Sequence, residues 1–122
     1  MNKPTAKEIR EIIGGDARLL VEKANSFAVD ICHKVSASQL RNAFGTMKRL
    51  QMLGWKNAKV PAQLLLMKPR LAYMAGRHKA TKDVKDVLIQ GIDCVKDEKT
   101  FESFCNFFEA ILAYHKAHGG KS

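Results

Sequence analysis

The chain of 122 residues carries 21 lysines and arginines against 12 aspartates and glutamates, a formal net charge of +9. Its hydrophobic content of 46% is typical of a globular protein and excludes a disordered one. No apolar run approaches the ~18 residues of a membrane span, and the charged N-terminus lacks a secretion signal. Three cysteines without close pairing indicate reduced thiols. We therefore expect a cytoplasmic protein with an anionic partner.

Helical periodicity runs through nearly the whole chain, and no useful strand alternation occurs. Thr5 and Glu8 have the spacing of a capping box, which predicts a short first helix ending at Gly14-Gly15. Asp16 can cap the second helix. The apolar positions of that helix recur every three or four residues, at Leu20, Ala24, Phe27, Ala28, Ile31 and Val35.

The third helix is predicted to open at Ser36, with Gln39 completing a second capping box. Gly54 is a natural residue to end it. After a loop, Pro61 suits the first turn of a fourth helix. Pro69 lies inside that helix, so we expect a kink or a split there.

The C-terminal third predicts two more helices, with Thr81 and Thr100 as their capping residues. One stripe of the last helix is apolar: Phe101, Phe104, Cys105, Phe108, Ile111, Leu112 and His115. Phe107 and Tyr114 widen this stripe to about half the circumference. Such a wide surface indicates contact with two neighbours, which fits either another subunit or a central position in the core.

These patterns predict an all-α protein, a compact bundle of about five to six helices. We expect a single helical domain over residues 1–122. Within it, residues 1–15 form a short helix with a Gly-Gly break, residues 16–118 the helical core, and residues 119–122 a tail.

The positive charge is concentrated in the middle of the chain. Residues 1–35 carry six Lys/Arg against five Asp/Glu, and residues 83–122 carry five against seven. Residues 36–82 carry ten against none. A solvated charged face usually mixes signs, because opposite charges one turn apart support a helix. The pattern therefore favours a basic surface for a nucleic-acid backbone over a merely solubilising face.

On the third helix, Arg41 and Lys48 lie within about 20° of each other on a helical wheel, with Arg49 near the same side. Gly45 lies between them, although glycine costs ~1 kcal/mol against alanine in a helix interior. Two interpretations stay open. Gly45 lets a phosphate backbone approach closely, or it allows a close contact between helices.

If the fourth helix continues through Pro69, then Arg70, Tyr73 and Arg77 share one face, and His78 and Lys79 follow directly. Arginine binds phosphate in a bidentate manner, and tyrosine offers a plane for base stacking. A structural tyrosine is the commoner case.

Two residues outside these faces have open roles. Trp55 lies in the loop between the third and fourth helices, where it could stack a base or anchor the loop to the core. Glu109, inside the last helix, is a candidate to orient an arginine of the basic face.

The sequence favours a binding function over a catalytic one. The spacings of Cys32-His33 and His115…His118 match no closed zinc framework. The sequence has no glycine-rich phosphate loop, and the basic segment has no carboxylates to hold Mg²⁺. His78 is the one serious catalytic candidate, as in a metal-independent ribonuclease. We expect no catalytic site, metal or cofactor.

Three stretches together resemble one known family. Residues 38–41 read SQLR, residues 68–77 read KPRLAYMAGR and residues 108–116 read FEAILAYHK. Their order and spacing are similar to those of the small subunit of the type III-A CRISPR–Cas effector, the Csm complex. The similarity extends from about Asp16 to Gly120. One departure is Asn42, where the family often has a second basic residue.

The resemblance implies a non-catalytic, RNA-binding structural subunit that lines a channel and touches the RNA backbone without reading sequence. It implies several partners: guide RNA, target RNA, other copies of itself, and the backbone and large subunits of the Csm complex. Among the expected RNA contacts, four match family motifs, namely Arg41, Lys68, Arg70 and Arg77. Four more follow from position alone, namely Lys48, Arg49, His78 and Lys79. The alternatives are a free-standing basic helical module that binds nucleic acid, and a small ribonuclease using His78.

Overall fold

The computed structural model describes residues 3–122, and within this range the chain forms six α-helices and no β-strand. This confirms the predicted all-α fold. The helices are α1 (Ala6–Ile13), α2 (Ala17–Ile31), α3 (Ala37–Leu53), α4 (Val60–Arg77), α5 (Lys82–Cys94) and α6 (Glu98–Ala117), and a 3-10 turn, Lys79–Thr81, joins α4 to α5. No helix in the described range combines the length and apolar character that crossing a membrane requires.

Both predicted capping boxes are present. At the start of α1, the Thr5 amide donates to Glu8 Oε1 at 2.9 Å, and the Glu8 amide donates to Thr5 Oγ1 at 3.1 Å. Ser36 and Gln39 make the equivalent pair of bonds at the start of α3. Asp16 caps α2 by accepting from the Leu19 amide. Each box satisfies backbone donors that a helix start would otherwise leave unpaired.

The two predicted caps of the C-terminal helices have different outcomes. Thr81 is the N-cap residue of α5, as predicted, but it is buried and its hydroxyl donates to the carbonyl of His78 at 2.6 Å, so its side chain makes no capping bond. Thr100 is the third residue of α6 rather than its cap. The cap is Asp97, whose Oδ1 accepts from the Thr100 amide at 2.9 Å while Thr100 Oγ1 accepts from the Asp97 amide at 3.0 Å. The helix therefore begins at Glu98, earlier than the sequence indicated.

The fourth helix does not split at Pro69, and runs unbroken from Val60 to Arg77. Proline at this position removes one backbone hydrogen bond. Pro69 lies on the exposed side, whereas Leu64 and Leu71 are buried on the opposite side. Packing of the buried face holds the two halves of the helix together.

Helix α6 occupies the centre of the bundle. It packs chiefly against α2 and also against α3, α1 and α5. Phe104, Phe107 and Phe108 are fully buried, and Tyr114 is half-buried against the core. The wide apolar surface is therefore used within the fold. This favours the central-core interpretation of the Phe107/Tyr114 shoulder over a subunit contact.

The short helix α1 is part of the same core. Ile9, Ile12 and Ile13 are at most 1% exposed, and the helix packs on α5, α6 and α2. Full burial of each side chain contributes about 1.5–3 kcal/mol of hydrophobic stabilisation. A salt bridge between Lys23 of α2 and Glu8, with N···O 2.9 Å, links the first two helices at the surface.

The C-terminal residues close over a buried histidine. His115 is 1% exposed, and its Nε2 lies 2.6 Å from the carbonyl oxygen of Val35. Because a carbonyl only accepts, the proton is on Nε2. Beyond α6, the Lys121 amide donates to the carbonyl of Cys32, and the Lys121 carbonyl accepts from the Ala37 amide. These bonds hold the end of the chain against the α2–α3 connection.

Trp55 anchors the α3–α4 loop to the core. Its ring centroid lies 5.3 Å from that of Phe101 at the start of α6. The side chain is half-buried and packs against the core cluster. Of the two interpretations, core anchoring therefore applies.

The three cysteines, Cys32, Cys94 and Cys105, are free thiols. Cys32 and Cys105 are buried, and Cys94 is half-buried. Burial raises the pKa of the Cys105 thiol to about 12 and raises that of Cys94 as well. These thiols act as small apolar side chains.

Candidate nucleic-acid interface

A groove of about 960 Å³ runs between α3 and α4 and collects most of the predicted basic residues. Its floor is apolar, with Met67 and Leu71 buried and Met74 half-buried. Its sides carry four arginines, two from each helix: Arg41, Arg49, Arg70 and Arg77. These four arginines line the same groove because α3 and α4 pack side by side.

The α3 side of the groove is open around Gly45. A Cβ atom built at Gly45 would have Nη1 of Arg49, at 3.8 Å, as its nearest contact outside its own turn. No neighbouring helix lies within 4 Å of that position, so a close contact between helices does not explain the glycine. Arg49 Nη2 donates to Thr46 Oγ1 at 3.1 Å, which holds its guanidinium along the groove.

The α4 side carries Arg70, Tyr73 and Arg77, with His78 at the end of the helix. Tyr73 is 66% exposed, which is unusual for a large aromatic side chain. The guanidinium carbon of Arg77 lies 5.9 Å from the centroid of the Tyr73 ring, and Arg77 Nη1 lies 3.4 Å from Tyr73 Oη. The three side chains follow one another at helical spacing, as predicted.

No aspartate or glutamate is among the described residues that line the groove. Four guanidinium groups around an apolar floor attract a ligand with several negative charges and a flat or apolar part. Arginine suits such a site because it stays charged and binds phosphate with two parallel hydrogen bonds. The arrangement fits a polyanion with aromatic groups.

Two predicted contacts, Lys48 and Lys68, lie outside the groove and pair with acidic side chains. Lys48 Nζ lies 2.8 Å from Glu109 Oε2 of α6 and also donates to Gln51 Oε1 at 3.0 Å. Lys68 Nζ lies 2.6 Å from Asp93 Oδ1 of α5. The segment that lacks acids in the sequence is therefore partly neutralised in space by acids from the flanking helices.

The expected role of Glu109 is corrected by this contact, because its observed partner is a lysine and not an arginine. Lys79, the last of the predicted contacts, lines a separate shallow depression together with Lys82 and Lys85. Its floor is made of small residues of α4: Ala72, Ala75 and Gly76. Of the eight predicted residues, the groove brings together Arg41, Arg49, Arg70, Arg77 and His78.

Sequence reasoning missed the polar residues at the start of α3. Ser38, Gln39 and Asn42 line the groove alongside Arg41. Positions 38, 42, 45 and 49 follow the three- and four-residue spacing of one helix face. That spacing is the signal in the sequence that marks these polar residues as part of the basic face.

Two of the histidines weighed as zinc ligands, His115 and His118, have other partners. His115 Nε2 contacts the Val35 carbonyl, and His118 Nε2 lies 2.7 Å from Asn25 Oδ1. Within residues 3–122, no group of three or more His, Cys, Asp or Glu side chains is placed to hold a metal ion.

Comparison with known proteins identifies the family. The profile described as Csm2 Type III-A matches residues 14–121, which is most of the chain. The chain belongs to the type III-A Csm2 family. This confirms the resemblance seen in the three sequence motifs. The groove, which lies wholly within residues 38–78, falls inside the part of the chain that the family model matches.

One similar Csm2 relative is the "CRISPR system Cms protein Csm2" of Streptococcus thermophilus. It is 37% identical over 57 residues, which cover 45% of this chain and 47% of the relative. The chain thus aligns with about half of that protein's length. No solved structure matches the chain.

Proposed function

We propose that this Csm2-family chain is a non-catalytic RNA-binding structural subunit of a type III-A CRISPR interference complex. In this role it lines the RNA channel and contacts the RNA backbone without reading sequence. The observation that carries the proposal is the α3–α4 groove, with four arginines and no acidic lining residue. Family membership supports the role as a subunit of the type III-A complex, and the groove supports RNA as the ligand.

The chemistry of the groove favours phosphate contacts over base-edge readout. Arg41 and Arg49 come from one helix and Arg70 and Arg77 from the other, so the cations form two facing rows. Contacts of this kind fix the position and register of a strand but carry no sequence information. Guide RNA and target RNA, both polyanions, are the expected ligands.

The proposed partners also include other copies of the chain and the backbone and large subunits of the complex. The exposed apolar residues at the end of α3 and on α4 are available for such contacts: Met52, Leu53, Leu65 and Leu66. Co-expression with the neighbouring subunits and affinity purification test the assembly. The protein should be recovered with guide RNA in a stoichiometric complex. Recovery of the free chain alone would favour the free-standing alternative.

RNA binding is tested by removing the arginines one at a time. Arg41→Gln, Arg70→Gln and Arg77→Gln should each weaken binding of unrelated RNA sequences by similar factors. Each lost phosphate contact should flatten the dependence of log K on log salt by about 0.7 for a single strand. Fluorescence anisotropy at several salt concentrations measures both quantities.

Arg18→Gln is the matched control, because Arg18 is an exposed arginine on α2 outside the groove. It makes the same change in net charge and should leave the salt slope unchanged. Equal effects of all four substitutions would mean that net charge alone drives binding. Losses that depend on RNA sequence would indicate base readout and contradict the proposal.

The non-catalytic part of the proposal has its own test. His78 lines the groove and is exposed, so it is positioned to meet bound RNA. Labelled RNA incubated with the protein should stay intact. Cleavage that disappears in His78→Ala would establish the ribonuclease alternative instead.

A further inference from the structure

Tyr73 is an aromatic side chain that the fold does not use for packing. It is 66% exposed on α4 and lines the groove. The second tyrosine, Tyr114, behaves as a structural residue: it is half-buried against the core, with its ring centroid 6.4 Å from that of His118. Leaving a large aromatic surface in water forgoes the hydrophobic stabilisation that burial provides. Because its side chain is so exposed, a structural role in core packing does not account for Tyr73.

The ring of Tyr73 is held in place by its neighbour one turn away. Arg77 places its guanidinium 5.9 Å from the ring centroid and Nη1 3.4 Å from the phenol oxygen. A cation near the ring favours a fixed arrangement of the two side chains. The ring is thus oriented by Arg77 while the side chain stays 66% exposed, which lowers the entropy lost when a second flat group stacks on the ring.

The surroundings of the ring match the two halves of a nucleotide. Met74 and the buried Met67 give an apolar floor beside it, and Arg41 and Arg70 stand on the sides of the groove. A flat, apolar base face suits the ring and the floor, while its phosphates suit the arginines. A base that is paired within a duplex has both faces covered by its neighbours and cannot use such a site.

We propose that Tyr73, oriented by Arg77, is a binding site for an unpaired nucleobase within the α3–α4 groove. The inference rests on the proposed function and adds a ligand class to it, namely an RNA strand with at least one unstacked base at this point. Stacking on a phenol ring tolerates any base, since every base has a π-face. The site therefore recognises the unpaired state and not the sequence.

The test compares three RNA probes with the same number of phosphates. The first is a short fluorescein-labelled single strand, the second is that strand with abasic sites in place of its bases, and the third is a duplex. Wild-type protein should bind the base-containing strand more tightly than the abasic one. Tyr73→Leu should weaken binding of the base-containing strand by roughly 5- to 100-fold. It should leave the Kd of the abasic strand and the duplex unchanged.

Tyr73→Phe and Val21→Ala serve as controls. Phenylalanine keeps the stacking plane without the hydroxyl and should bind nearly as wild type does. Val21 is 49% exposed on α2 and lies outside the groove, so Val21→Ala should change none of the three affinities. Both tyrosine variants should fold normally, because the ring is exposed.

The outcomes separate this inference from the function on which it rests. If wild-type protein binds none of the probes, the proposed function itself is wrong. If it binds all three equally, and Tyr73→Leu does so as well, RNA binding stands and the base site is overturned. If Tyr73→Leu weakens the affinity for the abasic strand and for the base-containing strand by the same factor, the inference is also overturned. The ring would then act only through Arg77.

Discussion

Gly91 of α5 faces the ring of Phe104 of α6 so closely that a Cβ atom at position 91 would lie 3.0 Å from Cδ1 and 3.2 Å from Cε1 of that ring. Phe104 is fully buried in the centre of the bundle, and Gly91 is also buried. The close approach of two helices that the sequence suggested at Gly45 therefore occurs at Gly91. A side chain at position 91 would therefore force the ring of Phe104 to shift by a few tenths of an ångström.

Gly91→Ala should destabilise the protein. Overpacking a well-filled core costs about 1–3 kcal/mol, and the better helix propensity of alanine offsets about 1 kcal/mol of it. We expect a net decrease of roughly 1 kcal/mol in the free energy of unfolding, measured by urea denaturation. A Gly91→Ala protein as stable as wild type would mean that Phe104 moves freely aside.

Gly45→Ala and Gly76→Ala should instead stabilise the protein. A Cβ atom at Gly45 meets only Arg49 Nη1 at 3.8 Å, and one at Gly76 meets nothing within 4 Å. Both residues lie inside helices, where alanine is favoured by up to about 1 kcal/mol. Thermal unfolding should give a higher Tm for each variant. A lower Tm for either would indicate a steric contact at that position.

A larger side chain at position 45 separates stability from RNA binding. Gly45→Leu fills part of the groove between the arginines without entering the core. RNA affinity should therefore fall while the Tm stays at or above the wild-type value. Ala62→Leu is the matched control, since Ala62 is exposed on α4, lines neither the groove nor the depression beside Lys79, and its substitution should leave RNA affinity unchanged.

Releasing the paired lysines should strengthen RNA binding. Glu109→Gln frees Lys48 and Asp93→Asn frees Lys68, and each removes one negative charge near the groove helices. These surface salt bridges stabilise the fold by about 0–1 kcal/mol, so stability should change little. Affinity for RNA should rise a few-fold at low salt and converge with wild type at high salt. A weaker affinity would mean that the acids orient the lysines toward the RNA.

The capping carboxylates make stability depend on pH. The Thr100 amide donates to Asp97 and lowers the pKa of its carboxyl, and the Thr5 amide does the same for Glu8. A carboxyl whose pKa is lower in the folded state stabilises the fold above its ordinary pKa of about 4. That stabilisation is lost as the pH falls through the folded-state pKa. The free energy of unfolding should thus decrease as the pH is lowered from about 5 toward 3.

Asp97→Asn isolates the contribution of one cap. Asparagine still accepts the amide hydrogen bond at a helix start but does not titrate. The variant should therefore lose less stability between pH 5 and pH 3, values that bracket the ordinary carboxyl pKa of about 4. Glu102→Gln removes an exposed carboxyl of the same helix and is the control for the change in net charge. Identical pH profiles for wild type and Asp97→Asn would contradict the role of this cap.

Helix starts were predictable where the capping box was complete in the sequence, and the start of α6 was misplaced because two capping residues competed. Thr5 and Ser36 are each followed by Glu or Gln three residues on, and both form their predicted boxes. Before α6, Asp97 and Thr100 are both capping residues three positions apart. They are the two members of one box, so choosing Thr100 placed the helix start too late.

The arginines of the groove were predictable in part because each row lies on one helix, and helical spacing alone groups Arg70 with Arg77. The net charge of this surface was not predictable from the sequence. Lys48 lies 61 residues from Glu109 in the chain and Lys68 lies 25 from Asp93, so these pairs form only after the helices pack. A helical wheel also grouped Lys48 with Arg41, although the packing of α3 between α4 and α6 turns Lys48 toward α6.

The contact between Trp55 and Phe101 supplies the protein with an internal optical probe. Trp55 is the one tryptophan of the sequence, and it does not line the groove. Its emission should shift to longer wavelength when the α3–α4 loop separates from α6, since the indole then enters water. RNA in the groove should leave that emission nearly unchanged. Folding and ligand binding can thus be followed independently in one sample, without attaching a dye to the protein.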